Sequence, residues 1–209
     1  MITTNEEGLK YYDLEKYLFE TVSKKYSEEK TLSVFDFFCI IIWKANRAKS
    51  KIEDKLKNLG KEKGYKTLKE AVEALIRNIT QAKDKGAKLD VLIKDWKFYL
   101  PTASAILTVL FPKEFSVYDV RVCHTLKTIR DKDFYKNKPN FKNSSERYFA
   151  YIDEVRNTVP ESQELRDQDR SLWGIDFAEQ LKKNVEHGFK DQKTKPKTKA
   201  SSKTHRRSS

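Results

Sequence analysis

Ten residues, Val34 to Trp43, read VFDFFCIIIW and contain a single charged side chain, Asp36. A segment apolar on almost every side must be enclosed by the rest of its domain. Its unbroken apolar run, Phe37 to Trp43, is the longest in the chain. It falls far short of the roughly 18–20 residues that span a bilayer, so it is a core element. Ser33 stands at the position of an N-cap and predicts a helix through Lys44, the central one of its domain. Ile40, Ile41 and Ile42 are β-branched and also suit a strand, so for this segment alone both readings stay open.

Elsewhere the patterns are helical, and the expected fold is an all-α protein. Residues 1–189 suit one compact helical domain, or two closely joined lobes, with no internal repeat. Tyr11 to Lys25 has apolar residues at positions 11, 14, 17, 18 and 22. Ser50 is a cap for a short helix ending at Gly60. Thr67 and Glu70 form a capping-box pattern, opening a helix that runs to about Lys85 and stops at Gly86. A short helix covers Leu89 to Trp96. Pro101 suits the first turn of a small, apolar helix from Thr102 to Phe111, which Pro112 ends. After a partly extended link, Asp119 caps a helix from Val120 to Thr128. A polar loop from Asp131 to Asn143 precedes a helix from Ser144 or Ser145 to about Asn157. Pro160 breaks that helix, and a last one covers Leu165 to Val185.

Charge narrows the partner. The chain has 209 residues, 43 Lys plus Arg and 31 Asp plus Glu, for a net charge of +12. Such an excess points to a polyanion, nucleic acid before an anionic membrane surface. Its distribution matters more than its total. Residues 190–209 carry eight basic residues and one acid, a net +7, with almost no apolar residue, so they are expected to be a disordered tail. That tail reads either as an electrostatic tether for nucleic acid or as a solubilising end. Residues 1–189 keep +5, and Lys44 to Lys66 holds nine basic residues against three acids. The opening residues MITTNEEGLK do not read as a secretory signal. Cys39 and Cys123 are expected to be reduced thiols, as in a cytoplasmic protein.

The stretch Leu100 to Leu126, LPTASAILTVLFPKEFSVYDVRVCHTL, is the informative one. A helix of small residues, a proline, a short link and an Asp at a helix start resemble the core of the helix-hairpin-helix DNA glycosylase superfamily. In that family a glycine hairpin leads into the helix, and a loop then delivers V-D-T-H-V, whose Asp is catalytic. Thr102-Ala103 matches the family's T-A pair, and Val117 to Val122 matches the catalytic loop. The resemblance makes Asp119 the catalytic carboxylate. It extends over about residues 30–180, with RDQDRSLW, Arg166 to Trp173, resembling the terminal helix. Two features depart from the pattern. The hairpin position, Trp96 to Pro101, reads WKFYLP and has no glycine to supply a positive φ. Pro101 occupies the place of the family's Schiff-base lysine, so lyase chemistry through that position is absent. Two cysteines cannot hold the cluster of one family branch, and no cofactor is expected.

The implied chemistry is hydrolysis of an N-glycosidic bond, which passes through an oxocarbenium-like sugar. Asp119 stabilises the developing charge; its bland reading is an N-cap alone. The target base leaves its stack for a pocket. Trp43, Lys44, Arg47, Arg121 and Trp173 are the substrate-binding candidates, with Asn46 beside Arg47 and Asp169 beside Trp173. Trp43 and Trp173 equally read as packing residues, and Lys44 and Arg47 as a solvated helix end. Lys97, Tyr99 and Thr102 are candidates for the DNA backbone. His124 has no partner at metal spacing, and no metal site is expected. There is no phosphate loop, G-x-G-x-x-G, H-E-x-x-H or G-x-S-x-G motif. The expected function is a DNA-binding, monomeric, monofunctional N-glycosylase of base excision repair, acting on a damaged base in double-stranded DNA and located in the cytoplasm at the nucleoid. The alternatives are a non-catalytic DNA-binding protein on the same core and a helical interaction module.

Overall fold

The computed structural model describes residues 5–135, 144–160 and 163–189. The basic tail from 190 and most of the polar loop before 144 lie outside the described residues. Within them the chain is all-helical and contains no strand. The order is α1 (Asn5–Tyr12), α2 (Leu14–Tyr17), a π-helical turn, α3 (Ser23–Glu29), α4 (Val34–Ala45), a 3-10 turn (Asn46–Ala48), α5 (Lys49–Glu62) and α6 (Leu68–Gln81). Then come α7 (Lys85–Asp90), a second π-helical turn (Val91–Asp95), α8 (Leu100–Leu110), α9 (Val120–Arg130), α10 (Ser144–Thr158) and α11 (Leu165–His187).

The segment that opened the sequence is a helix, not a strand. Ser33 Oγ accepts the Asp36 amide at 3.0 Å and donates to Asp36 Oδ2 at 2.7 Å. Tyr17 donates to the other oxygen at 2.5 Å, so the one charged residue of the apolar stretch is buried with partners on both oxygens. The helix is not the most enclosed one, however. Phe35 and Ile42 remain exposed on its outer face. That central position belongs to α8, whose eight residues Ala103 to Leu110 are all buried. Alanine and serine side chains leave room for neighbouring helices to approach on every side, α4 among them.

Several boundaries differ from their sequence expectation. Ser50 lies inside α5, which starts one residue earlier and is not capped by a side chain. Thr67 does cap α6, its Oγ1 accepting the Glu70 amide at 3.1 Å. Yet α6 ends at Gln81, because Asp84 accepts the Ala87 amide at 2.8 Å and starts α7 afresh. Gly86 is therefore inside a helix and not a stop. The closing helix α11 runs two residues beyond Val185.

The turn Trp96 to Tyr99 joins α7 and its π-helical extension to α8 without glycine. Lys97 itself takes the left-handed conformation, with φ at +57°. Trp96 and Phe98 are buried and anchor the turn on either side, and the Phe98 amide donates to Leu92 O at 2.8 Å. Lys55 of α5 closes it from outside, donating to Lys97 O at 2.7 Å with its amine 5.0 Å from the Tyr99 ring. The positive φ that a glycine would supply is thus met by a strained lysine held by its neighbours.

Candidate functional site

The link between α8 and α9 runs through the interior, where an irregular backbone needs partners for its polar groups. Phe115, Ser116, Val117 and Tyr118 are all buried. Side chains supply the missing partners one by one. Asp169 Oδ2 accepts from the Val117 amide at 3.2 Å and from Ser116 Oγ at 3.0 Å. Tyr148 and Tyr151 donate to the carbonyls of Ser116 and Val117 at 2.6 and 2.7 Å. Ser104 Oγ accepts from the Tyr118 amide at 2.9 Å. Burial pushes both phenols far above their ordinary range, so they stay protonated donors. The next residue in this fixed path is Asp119.

Asp119 performs two tasks. Its Oδ1 accepts the Arg121 amide at 2.9 Å and caps α9. Its Oδ2 accepts from Lys44 Nζ at 2.5 Å. Lys44 lies in the last turn of α4, and Asp119 at the start of α9, so each charge sits at the helix end whose dipole favours it. Their side chains are mostly buried. The expected cap is thus present, and the oxygen that does not cap α9 is paired with Lys44.

A cavity of about 430 Å³ opens beside this pair. Trp43 and Lys44 come from α4, Val117, Asp119 and Val122 from the link and α9, and Glu15 from α2. Arg166, Asp169, Arg170 and Trp173 come from α11. Three cations thus face three carboxylates, leaving a balanced interior between two tryptophans. Arg166 knits one side. It pairs with Asp169 and, at 2.7 Å, with Glu15. Its guanidinium also lies 5.1 Å from the Phe19 ring and 5.2 Å from the Trp43 ring. Glu15 in turn accepts from Trp43 Nε1 at 3.3 Å. Burial raises the Asp169 carboxyl to about 6, against the pull of Arg166 and of the Val117 and Ser116 donors.

The fold brings Trp43, Lys44, Asp119, Asp169 and Trp173 to one cavity. It does not bring Arg47 there. The backbone turns sharply at Ala45, and Asn46 and Arg47 stand exposed in the following 3-10 turn. Arg121 is at the rim, pinned to Asp176 at 2.8 Å and lying over Trp173. Lys97 and Tyr99 are exposed and Thr102 partly buried at the α7–α8 turn, outside the cavity lining. Cys123 is buried, with burial raising its thiol to about 12. His124 points to Asp176, its Nδ1 3.5 Å from Oδ1. Among the described residues no cluster of His, Cys, Asp and Glu is arranged to hold a metal, and no helix is long and apolar enough to cross a membrane.

Glu15, Arg166 and Arg170 were not legible as site residues. The spacing of Arg166, Asp169 and Trp173 puts them on neighbouring positions of one helix, which is a usable signal. Glu15 has none, because its partner Arg166 lies 151 residues away. No family model, curated protein or solved structure matches the chain.

Proposed function

We propose that the protein binds DNA and excises a modified base by hydrolysing its N-glycosidic bond, with Asp119 as the catalytic carboxylate. The observation that carries this reading is the position of Asp119, an ionisable group at a helix start on the wall of a cavity between Trp43 and Trp173. A cavity of this size is within the range of small-ligand sites. Its aromatic walls suit a flat base, and its balanced charge suits an uncharged ring more than a phosphate. The carboxylate would oppose the positive charge that develops at C1′ as the base departs, and would orient or deprotonate the attacking water. The basic stretch from Arg47 to Lys66 supplies attraction for the polyanion.

The test is single-turnover release of oxidised, alkylated or deaminated bases from defined DNA strands, paired and unpaired, with Asp119→Asn as the control. Release by the parent and not by the variant supports the reading. DNA binding with no release from any substrate leaves a non-catalytic DNA-binding protein.

The Lys44–Asp119 contact favours a second route on the same site. Asp119 would take a proton from the Lys44 ammonium, and the freed amine would bond to C1′ as the base leaves with the glycosidic electron pair. The C1′–O4′ bond would then break, O4′ taking the proton that the nitrogen sheds, to leave an imine. Borohydride reduces such an imine to a stable amine link between protein and DNA. A trapped adduct lost in Lys44→Arg selects this route; release without trapping selects water.

A further inference from the structure

At the edge of the cavity, Trp173 and Phe177 of α11 lie nearly parallel, with ring centroids 5.3 Å apart and an interplanar angle of 10°. Both are large aromatic residues in solvent, 40% and 44% exposed. Neither position belongs to the buried face of α11, which is formed by Leu165, Gln168, Asp169, Leu172 and Asp176. The pair is fastened by an arginine that lies over it. Arg121 places its guanidinium 5.3 and 5.6 Å from the two ring centroids, while Asp176 holds the guanidinium at 2.8 Å. Trp173 also lines the cavity, so this surface is continuous with it.

We propose that Trp173 and Phe177 form a stacking platform for the nucleobase that neighbours the one in the cavity, and that the polymer bound here is an unpaired nucleic-acid strand. The inference rests on the reading of the cavity as a base pocket. A base within a paired duplex is already stacked above and below, and its faces are closed to a protein ring. A neighbour that stacks on Phe177 must have left that arrangement. Stacking on aromatic side chains is tolerant of base identity because every base presents a π-face. Arg121, paired with Asp176, holds the rings in place, so no freely moving side chain has to be ordered. The partner's charge is read from the chain itself. The helix that carries both rings leads directly into residues 190–209, whose net charge is +7. That charge favours a polyanion as the partner of this chain.

The experiment titrates the full chain with fluorescently labelled oligothymidylate and with the same strand paired to oligoadenylate, at moderate salt and with anisotropy as the readout. The unpaired strand is expected to bind at least about tenfold more tightly, and Phe177→Ala to weaken it by about fivefold to a hundredfold. Leu181→Ala, one turn further along the exposed face, is expected to leave that affinity unchanged. Circular dichroism of both variants checks folding; since both positions are exposed, the helix should persist. Equal affinity for paired and unpaired strands overturns the proposal. So does a folded Phe177→Ala that binds oligothymidylate as the parent does. Equal loss in Leu181→Ala would show that the effect does not belong to the stacked pair and would also overturn it. The probe has no modified base, so failure of base excision does not alter this result, and failure of stacking leaves the excision assay independent.

Discussion

Lys44 Nζ lies 2.5 Å from Asp119 Oδ2, joining the end of α4 to the start of α9 across 75 residues of sequence. Both side chains are largely withdrawn from water, so the pair is strong as a pair and costly to break from one side. The same carboxylate keeps its other oxygen on the α9 backbone. Charge and cap are therefore separable by choice of substitution. Asp119→Asn retains a good capping residue and loses the charge; Asp119→Ala loses both. We expect Asp119→Ala to be less stable than Asp119→Asn by about 1 kcal/mol in denaturant titration. Base release is expected to vanish in both. Lys44→Met, which strands the partly buried carboxylate, should destabilise by about 1–3 kcal/mol.

Asp169 sets a pH dependence. Burial raises its carboxyl to about 6 from an ordinary 3.8, so the folded protein takes up this proton more readily than the unfolded chain. Its contribution to stability is complete below about 3.8 and is lost as pH rises through about 6. Asp169→Asn removes this component. The stability of the variant relative to the parent should rise between pH 4 and pH 7. Denaturation midpoints of both proteins across that window check it, and a difference that stays flat or falls would contradict the assignment.

Ser104 is the hinge of the buried link. Its Oγ accepts the Tyr118 amide and donates to Pro101 O at 3.1 Å. Ser104→Ala leaves a buried N–H without an acceptor and is expected to cost about 1–3 kcal/mol. Because the link it holds delivers Asp119, base release should fall further than stability alone predicts. Rates measured well below the unfolding temperature separate the two effects.

Lys97 holds a left-handed backbone that glycine adopts without strain. Lys97→Gly should stabilise the fold by about 0.5–1 kcal/mol, seen as a higher denaturation midpoint. Loss of stability instead would show that the lysine side chain itself fastens the turn.

The two cysteines should be inert in the folded protein. Both are buried, and burial raises Cys39 to about 11 and Cys123 to about 12. At pH 8 an aromatic disulfide reagent should label neither thiol on the timescale on which it labels both in denaturant. Fast labelling of Cys123 would mean that the α9 start opens readily.

The helical class was determined by the sequence, because the apolar spacing and the capping residues Ser33, Thr67 and Asp119 act within a few residues of themselves. The same local chemistry marked Asp119 as a helix start beside a motif of interest. Boundaries that depended on a competing cap, such as Asp84 before α7, were already harder to place. The enclosure of α8 in preference to α4 was a matter of tertiary packing, since it follows from how neighbours share the space around small side chains. The site belongs to that level too. Glu15 and Arg166 meet across 151 residues, and Lys44 and Asp119 across 75. Local propensity has no term for such distances. Only the packed arrangement of helix ends decides which charges share a cavity, and it put Lys44 inside and Arg47 outside, three residues apart on one chain.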